Sequence, residues 1–140
     1  MNSSGRKRLK VLIADDTPAI CSSMSSLVAR LPDVEIVGTA QTGLEALEKI
    51  RALNPDVATL DIRMPELNGI SVLEAIRREG LKVSVIVLTG LAEAEYARKC
   101  VALGAEHFFN KATEFEMVVD ILRERAARLN SPLKNHGHRC

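Results

Sequence analysis

The sequence predicts a doubly wound α/β domain, a five-stranded parallel sheet with helices on both faces. Three observations lead there. Short apolar or β-branched runs alternate with amphipathic stretches along the chain. The central runs are apolar nearly throughout, as strands buried on both faces must be. Strict alternation of the two kinds of segment favours parallel strands joined by crossover helices. At 140 residues and 46% hydrophobic content, the chain can bury one core of ordinary size and would be cramped as two domains.

Taken in order, Val11 to Ala14 reads as the first strand. Thr17 before Pro18 opens the first helix, because proline suits the first helical turn, where its missing N–H costs nothing. Ile20, Met24, Leu27, Val28 and Leu31 follow at helical spacing, with Ser22, Ser23, Ser25 and Ser26 as the wet face. Val34 to Val37 is the second strand, and Thr42-x-x-Glu45 reads as a capping box for the second helix. Val57 to Leu60 is the third strand. After it, Pro65 biases Met64 away from helical geometry, and Gly69 permits a tight turn before the third helix. Gly80 sits where that helix should stop. Val83 to Leu88 is the fourth strand, and its helix should end at Gly104. His107 to Phe109 is the fifth strand, Thr113-x-x-Glu116 reads as a second capping box, and Phe115, Val118, Val119, Leu122 and Leu129 set the apolar stripe of the last helix. The folded domain is expected over residues 9–129, between a disordered segment 1–8 and a flexible tail 130–140, both polar and without periodicity.

Nineteen Lys and Arg against eighteen Asp and Glu give a formal charge of +1, so no strong field draws the chain to nucleic acid or an anionic membrane. No apolar run approaches the ~20 residues that span a bilayer, and the basic stretch Arg6 to Lys10 leads into only a short apolar run. A cytoplasmic protein is expected. Cys21, Cys100 and Cys140 are odd in number and lack CxxC spacing, which points to reduced thiols rather than a disulfide framework. His136, His138 and Cys140 have the composition of metal ligands but lie in the tail with no fourth partner.

Ligands of an open parallel sheet sit beyond the carboxyl ends of its strands, where strand order reverses. The strand ends here are polar. The first ends in Asp15-Asp16, the third in Asp61, the fourth in Thr89 and the fifth in Asn110-Lys111. Neighbouring carboxylates repel one another unless a cation relieves them. Magnesium fits, since it takes hard oxygen ligands and commonly combines one or two carboxylates with phosphate oxygens. With Lys111 neutralising an incoming phosphoryl group, one carboxylate can attack phosphorus in line. Asp61, alone at the end of a central strand, is the best nucleophile; Asp15 and Asp16 look like metal holders, the carbonyl of Arg63 could face the metal, and Thr89 could bond a phosphoryl oxygen. Each residue also has an ordinary reading: the aspartates as helix or turn caps, Thr89 as a cap, Lys111 as a solvated side chain. Tyr96, the only tyrosine, receives no site role.

In order and spacing, Asp15-Asp16, Asp61-x-x-Met64-Pro65-x-x-x-Gly69, Thr89 and Lys111 resemble the receiver domains of bacterial response regulators, over about residues 8 to 129. The resemblance implies the (βα)5 flavodoxin-like receiver fold, with Asp61 as phosphoacceptor. It implies that Asp16, Asp61 and the Arg63 carbonyl bind magnesium, that Asp15 holds it through water, and that Thr89 and Lys111 bind the phosphoryl group. The donor would be a histidine kinase or phosphotransfer protein. Thr89 and Phe108 would carry the switch to the surface of the fourth helix, fifth strand and fifth helix, toward an unidentified protein target. The resemblance also implies that Arg63 and Leu91 occupy positions that influence phosphoryl hydrolysis. Ala112 departs from the proline that many members place after the lysine, so a trans Lys111–Ala112 bond is expected, a cis bond costing about 3 kcal/mol.

The leading expectation is therefore a single-domain response regulator, monomer or weak dimer, that is not an enzyme in its own right and does not bind nucleic acid or membrane directly. A second reading is a receiver derived from a helix-turn-helix transcription regulator without its output domain, suggested by Leu31 to Gly38 and Ala112. A third is an aspartate-nucleophile phosphohydrolase. That class usually carries a second aspartate two residues after the nucleophile, where this chain has Arg63.

Overall fold

The structure, a computed structural model, describes residues 6–90 and 94–131. Leu91, His136, His138 and Cys140, and the first and last stretches of the expected frayed ends, lie outside the described residues. Strands and helices alternate as β1 (Leu9–Ala14), α1 (Pro18–Ala29), β2 (Val34–Ala40), α2 (Gly43–Leu53), β3 (Val57–Leu60), α3 (Gly69–Glu79), β4 (Ser84–Thr89), α4 (Ala94–Ala102), β5 (His107–Asn110) and α5 (Phe115–Leu129). The sheet is parallel, in the order β2-β1-β3-β4-β5. Strand order reverses at β1: the chain steps outward to β2, then crosses back to β3 on the other side.

The alternation of side chains along each strand divides the core into two layers. Leu12 and Ala14 of β1, Ala58 and Leu60 of β3, and Val85 and Val87 of β4 pack with α2, α3 and α4, through Ala46, Leu47, Ile50, Val72, Leu73, Ile76 and Cys100. Their neighbours Val11, Ile13, Val57, Ile86 and Leu88 pack with α1 and α5, through Cys21, Met24, Val28, Val118, Leu122 and Ala126. Among the described residues Cys21 and Cys100 are free thiols in these layers. Leu27, counted in the α1 stripe from the sequence, is instead 40% exposed. The buried face of α1 is Cys21, Met24 and Val28, a row one residue round the helix.

The helix ends follow backbone rules more closely than side-chain ones. Gly80 and Gly104 take left-handed φ values of 67° and 106°, as expected for helix stops, and Asn54 does the same after α2 at 50°. Thr42 accepts the Glu45 N–H at 3.0 Å, but the Glu45 carboxylate reaches back to the Gln41 N–H rather than to that of Thr42. The second box does not form. α5 starts at Phe115 with Glu114 in the capping position, because the Glu114 carboxylate accepts the Asn110 N–H and the Asn110 side chain accepts the Ala112 N–H, each at 2.8 Å. These local bonds fix a loop conformation in competition with the box. Among the described residues no peptide bond is cis, so Lys111–Ala112 is trans.

Two ties hold the beginning of the described chain. Arg6 pairs with Asp33, whose φ of 62° turns the chain into β2. The Lys7 N–H donates to the Asn130 side-chain oxygen at 2.7 Å, and the Asn130 amide donates back to the Lys7 carbonyl at 2.9 Å.

Candidate functional site

The crevice at the reversal of strand order lies at the carboxyl ends of β1 and β3. Asp15 and Asp16 leave β1 there, and Asp61 leaves β3. The pairing that holds the strands also holds these residues: the Asp15 N–H donates to Ala40 O, and the Asp61 N–H to Ala14 O. One carboxylate oxygen from each of the three aspartates lies within 4.8 Å of the others. Asp15 and Asp61 are buried, at 2% and 3% exposure, and Asp16 is exposed at the rim.

Lys111 reaches into this cluster from the end of β5. Its Nζ donates to Asp15 Oδ2 at 2.7 Å and to Asp61 Oδ2 at 3.1 Å, so one ammonium bridges the two buried carboxylates. Burial pushes the ammonium toward losing its proton, but the bonds and charges of Asp15 and Asp61 outweigh that and hold it above the ordinary lysine value. The backbone adds further anchors. The Thr17 N–H caps Asp15 Oδ1 at 2.9 Å, and the Arg63 N–H donates to Asp61 Oδ1 at 3.3 Å. Buried Thr89 ends β4, and its carbonyl accepts the Lys111 N–H at 3.0 Å, which ties the end of β4 to the residue that carries the ammonium. Gly90 leaves room beside the Lys111 stem.

The loop after Asp61 is shaped by glycine. The Gly69 N–H donates to Ile62 O, folding the loop back on β3. A Cβ at Gly69 would collide with the Asp61 carbonyl, and one at Gly43 with the Leu67 carbonyl, so neither place admits a side chain. Above this loop a cleft of about 590 Å³ opens to solvent, bordered by Asp16, Ile62, Arg63, Met64, Pro65, Asn68, Ile70 and Tyr96. Tyr96, which received no site role from the sequence, borders this cleft half-buried on α4. Its place depends on how α4 is rotated over the sheet, which no local pattern encodes.

The residues singled out from the sequence therefore gather at one edge of the sheet. Asp15, Asp16, Asp61 and Lys111 meet directly, with Thr89 and the Arg63 backbone adjoining. Phe108 stands apart: half-buried on β5, it pairs with Val87 and packs into the α2–α4 layer, while Asn110 is the residue opposite Thr89. The donor set is hard oxygen throughout, which suits magnesium.

The family model of the response regulator receiver domain matches residues 11–123. The chain belongs to that family. Among solved structures, this receiver resembles the signal receiver domain of the putative response regulator NarL from Mycobacterium tuberculosis, at 30% identity and a TM-score of 0.80, covering 86% of this chain and 98% of that one. It also resembles the response regulator domain of Thermotoga maritima CheB, at 32% identity and a TM-score of 0.77, covering 89% and 98%. Among curated proteins, it is 38% identical over 129 residues to a protein-glutamate methylesterase/protein-glutamine glutaminase 1 of Methanospirillum hungatei. That match covers 91% of this chain and 36% of the relative, so the receiver spans about a third of that protein's length. A relative of the same description from Nocardioides is 43% identical over 97 residues, 69% of this chain and 26% of its own. The fold expected from the sequence is the fold found. No helix among the described residues is long and apolar enough to cross a membrane.

Proposed function

We propose that this receiver takes a phosphoryl group onto Asp61 and uses it to change its binding to another protein. The observation that carries the reading is the bridge from Lys111 to Asp15 and Asp61 inside an all-oxygen cluster at the reversal of strand order. An Asp61 carboxylate oxygen attacks phosphorus as the donor's bond to phosphorus breaks, giving an aspartyl phosphate. Lys111 then holds a phosphoryl oxygen, and the Thr89 hydroxyl donates to another. Asp16, Asp61 and the Arg63 carbonyl would hold magnesium directly and Asp15 through water. When bound, the ion offsets the charge of carboxylates and phosphoryl oxygens.

The donor in this reading is a sensor histidine kinase or phosphotransfer protein. Output runs from Thr89 through Phe108, whose ring, without a hydroxyl, can act only by packing. The surface of α4, β5 and α5 would then meet the target protein. Methylesterase and glutaminase activity belongs by name to the longer relatives, and such an output partner or module is one natural target of this switch. The similarity to a DNA-binding response regulator of the LuxR family from Staphylococcus aureus, at 29% identity, keeps the transcription-regulator lineage as a second source of targets.

Incubation with magnesium and acetyl phosphate, read by intact mass, tests the assignment. One added phosphoryl group on the wild type and none on Asp61→Asn is expected. Undiminished labelling of that variant would remove Asp61 from the role, and continuous turnover of a phosphomonoester would favour a hydrolase instead.

A further inference from the structure

Two spaces meet beside Thr89. One is the open cleft of about 590 Å³. The other is a void of about 30 Å³ bordered by Ile62, Arg63, Thr89 and Tyr96. That is room for on the order of one water molecule. The two spaces share Ile62, Arg63 and Tyr96 as walls. Ile62 and Arg63 belong to the strand end that carries Asp61, so they cannot part from the site. Tyr96 comes from another element, α4, and packs half-buried against the core layer of α2, α3 and α4. Among the described residues it is the wall shared by the two spaces that does not come from the strand end bearing Asp61.

We infer that Tyr96 is a positioning residue that sets the lifetime of the phosphoryl group by limiting water's approach on the Thr89 side; this rests on Asp61 being the phosphoacceptor. Loss of the group is a hydrolysis. A water oxygen forms a new bond to phosphorus as the bond from phosphorus to the Asp61 oxygen breaks. The aspartate leaves as a carboxylate, and both hydrogens of the water end on inorganic phosphate. The ring of Tyr96 takes no part in these bonds. It restricts which waters reach the phosphorus, as closure of a site against solvent does elsewhere. Removing the ring joins void and cleft, whereas phenylalanine keeps the wall and loses only the hydroxyl.

The full chain and its Tyr96→Phe, Tyr96→Ala and Asp61→Asn variants would be phosphorylated with magnesium and acetyl phosphate, freed of donor and followed by intact mass. We expect Tyr96→Phe to keep the wild-type decay and Tyr96→Ala to decay on the order of tenfold faster, equivalent to about 1.4 kcal/mol of barrier. Tyr96→Leu, which keeps apolar packing without the ring's reach, serves if the alanine variant is unstable. Equal decay of wild type and ring-less variants after equal labelling would overturn the role of Tyr96 and leave Asp61 standing. No labelling of the wild type, or undiminished labelling of Asp61→Asn, would overturn both. A second readout uses the composition: Tyr96 is the only tyrosine and there is no tryptophan. Beryllium fluoride with magnesium should alter tyrosine emission in the wild type and leave Asp61→Asn unchanged, and emission unmoved at saturation would sink the inference.

Discussion

Lys111 stands between two buried carboxylates, and its removal takes from both the countercharge they share. Lys111→Met should lower stability by about 3 kcal/mol in chelator, the lower end of what breaking a buried ion pair costs, since the lysine is partly exposed. Magnesium should restore more stability to this variant than to the wild type, because it supplies the missing charge. Urea midpoints with and without the ion measure this, and an equal gain for both proteins would contradict it. Glu45 illustrates the opposite sign. The Gln41 N–H first and Lys49 second hold its carboxyl below the usual value. Its contribution is therefore present above the ordinary glutamate range and fades as pH falls through the lowered pKa. Glu45→Gln should cost about 0.5 kcal/mol or less at neutral pH, the scale of an exposed pair. The deficit should vanish once the pH falls below that lowered value, and a deficit that persists in acid would refute the assignment. At this scale the aspartates and Lys111 were legible because each ends a strand. The place of Tyr96 beside the cleft was not, since it depends on how a helix lies over a sheet.

Among the elements, β3 and the loop after it carry the tightest constraint. Gly69→Ala would press a Cβ against the Asp61 carbonyl and the Ile62 Cα. We expect a loss of about 2–3 kcal/mol from this overpacking, together with weaker magnesium binding because the displaced strand end bears Asp61. Thermal melts and a magnesium titration read the two effects separately; a variant with wild-type values in both would show that the loop moves freely. Apolar runs located the five strands and helical spacing located α1 and α5, since burial on one face or both imposes its own repeat, whereas α2, α3 and α4 were marked by their start and stop residues. Capping was less readable. At α5, Asn110 and Glu114 outcompete Thr113 and Glu116 for the same backbone groups, and only the folded loop reveals which pairs meet.

For the whole molecule, the doubly wound architecture followed from alternation. The order β2-β1-β3-β4-β5 did not, because strand neighbours are chosen by packing between distant segments. That order places three carboxylates at the edge of one cooperative unit, so ion binding and folding are linked. Magnesium at 100 times its dissociation constant should stabilise the wild type by about 2.7 kcal/mol. Asp16→Asn, altered at an exposed rim residue, should show a smaller gain in the same denaturation series. Identical gains would place the ion elsewhere.

The reciprocal bonds between Lys7 and Asn130 bring the two extremities of the unit from β1 to α5 to one spot, at the edge of the sheet opposite the acidic cluster. Topologically the domain is nearly a closed ring. A short glycine-rich splice could join the extremities there, and new ones could be opened at the solvent-facing turn of Gly80, giving a circularly permuted receiver. Its aspartates and Lys111 would keep their neighbours, and the position of the chain's ends would become a free variable for coupling this domain to others.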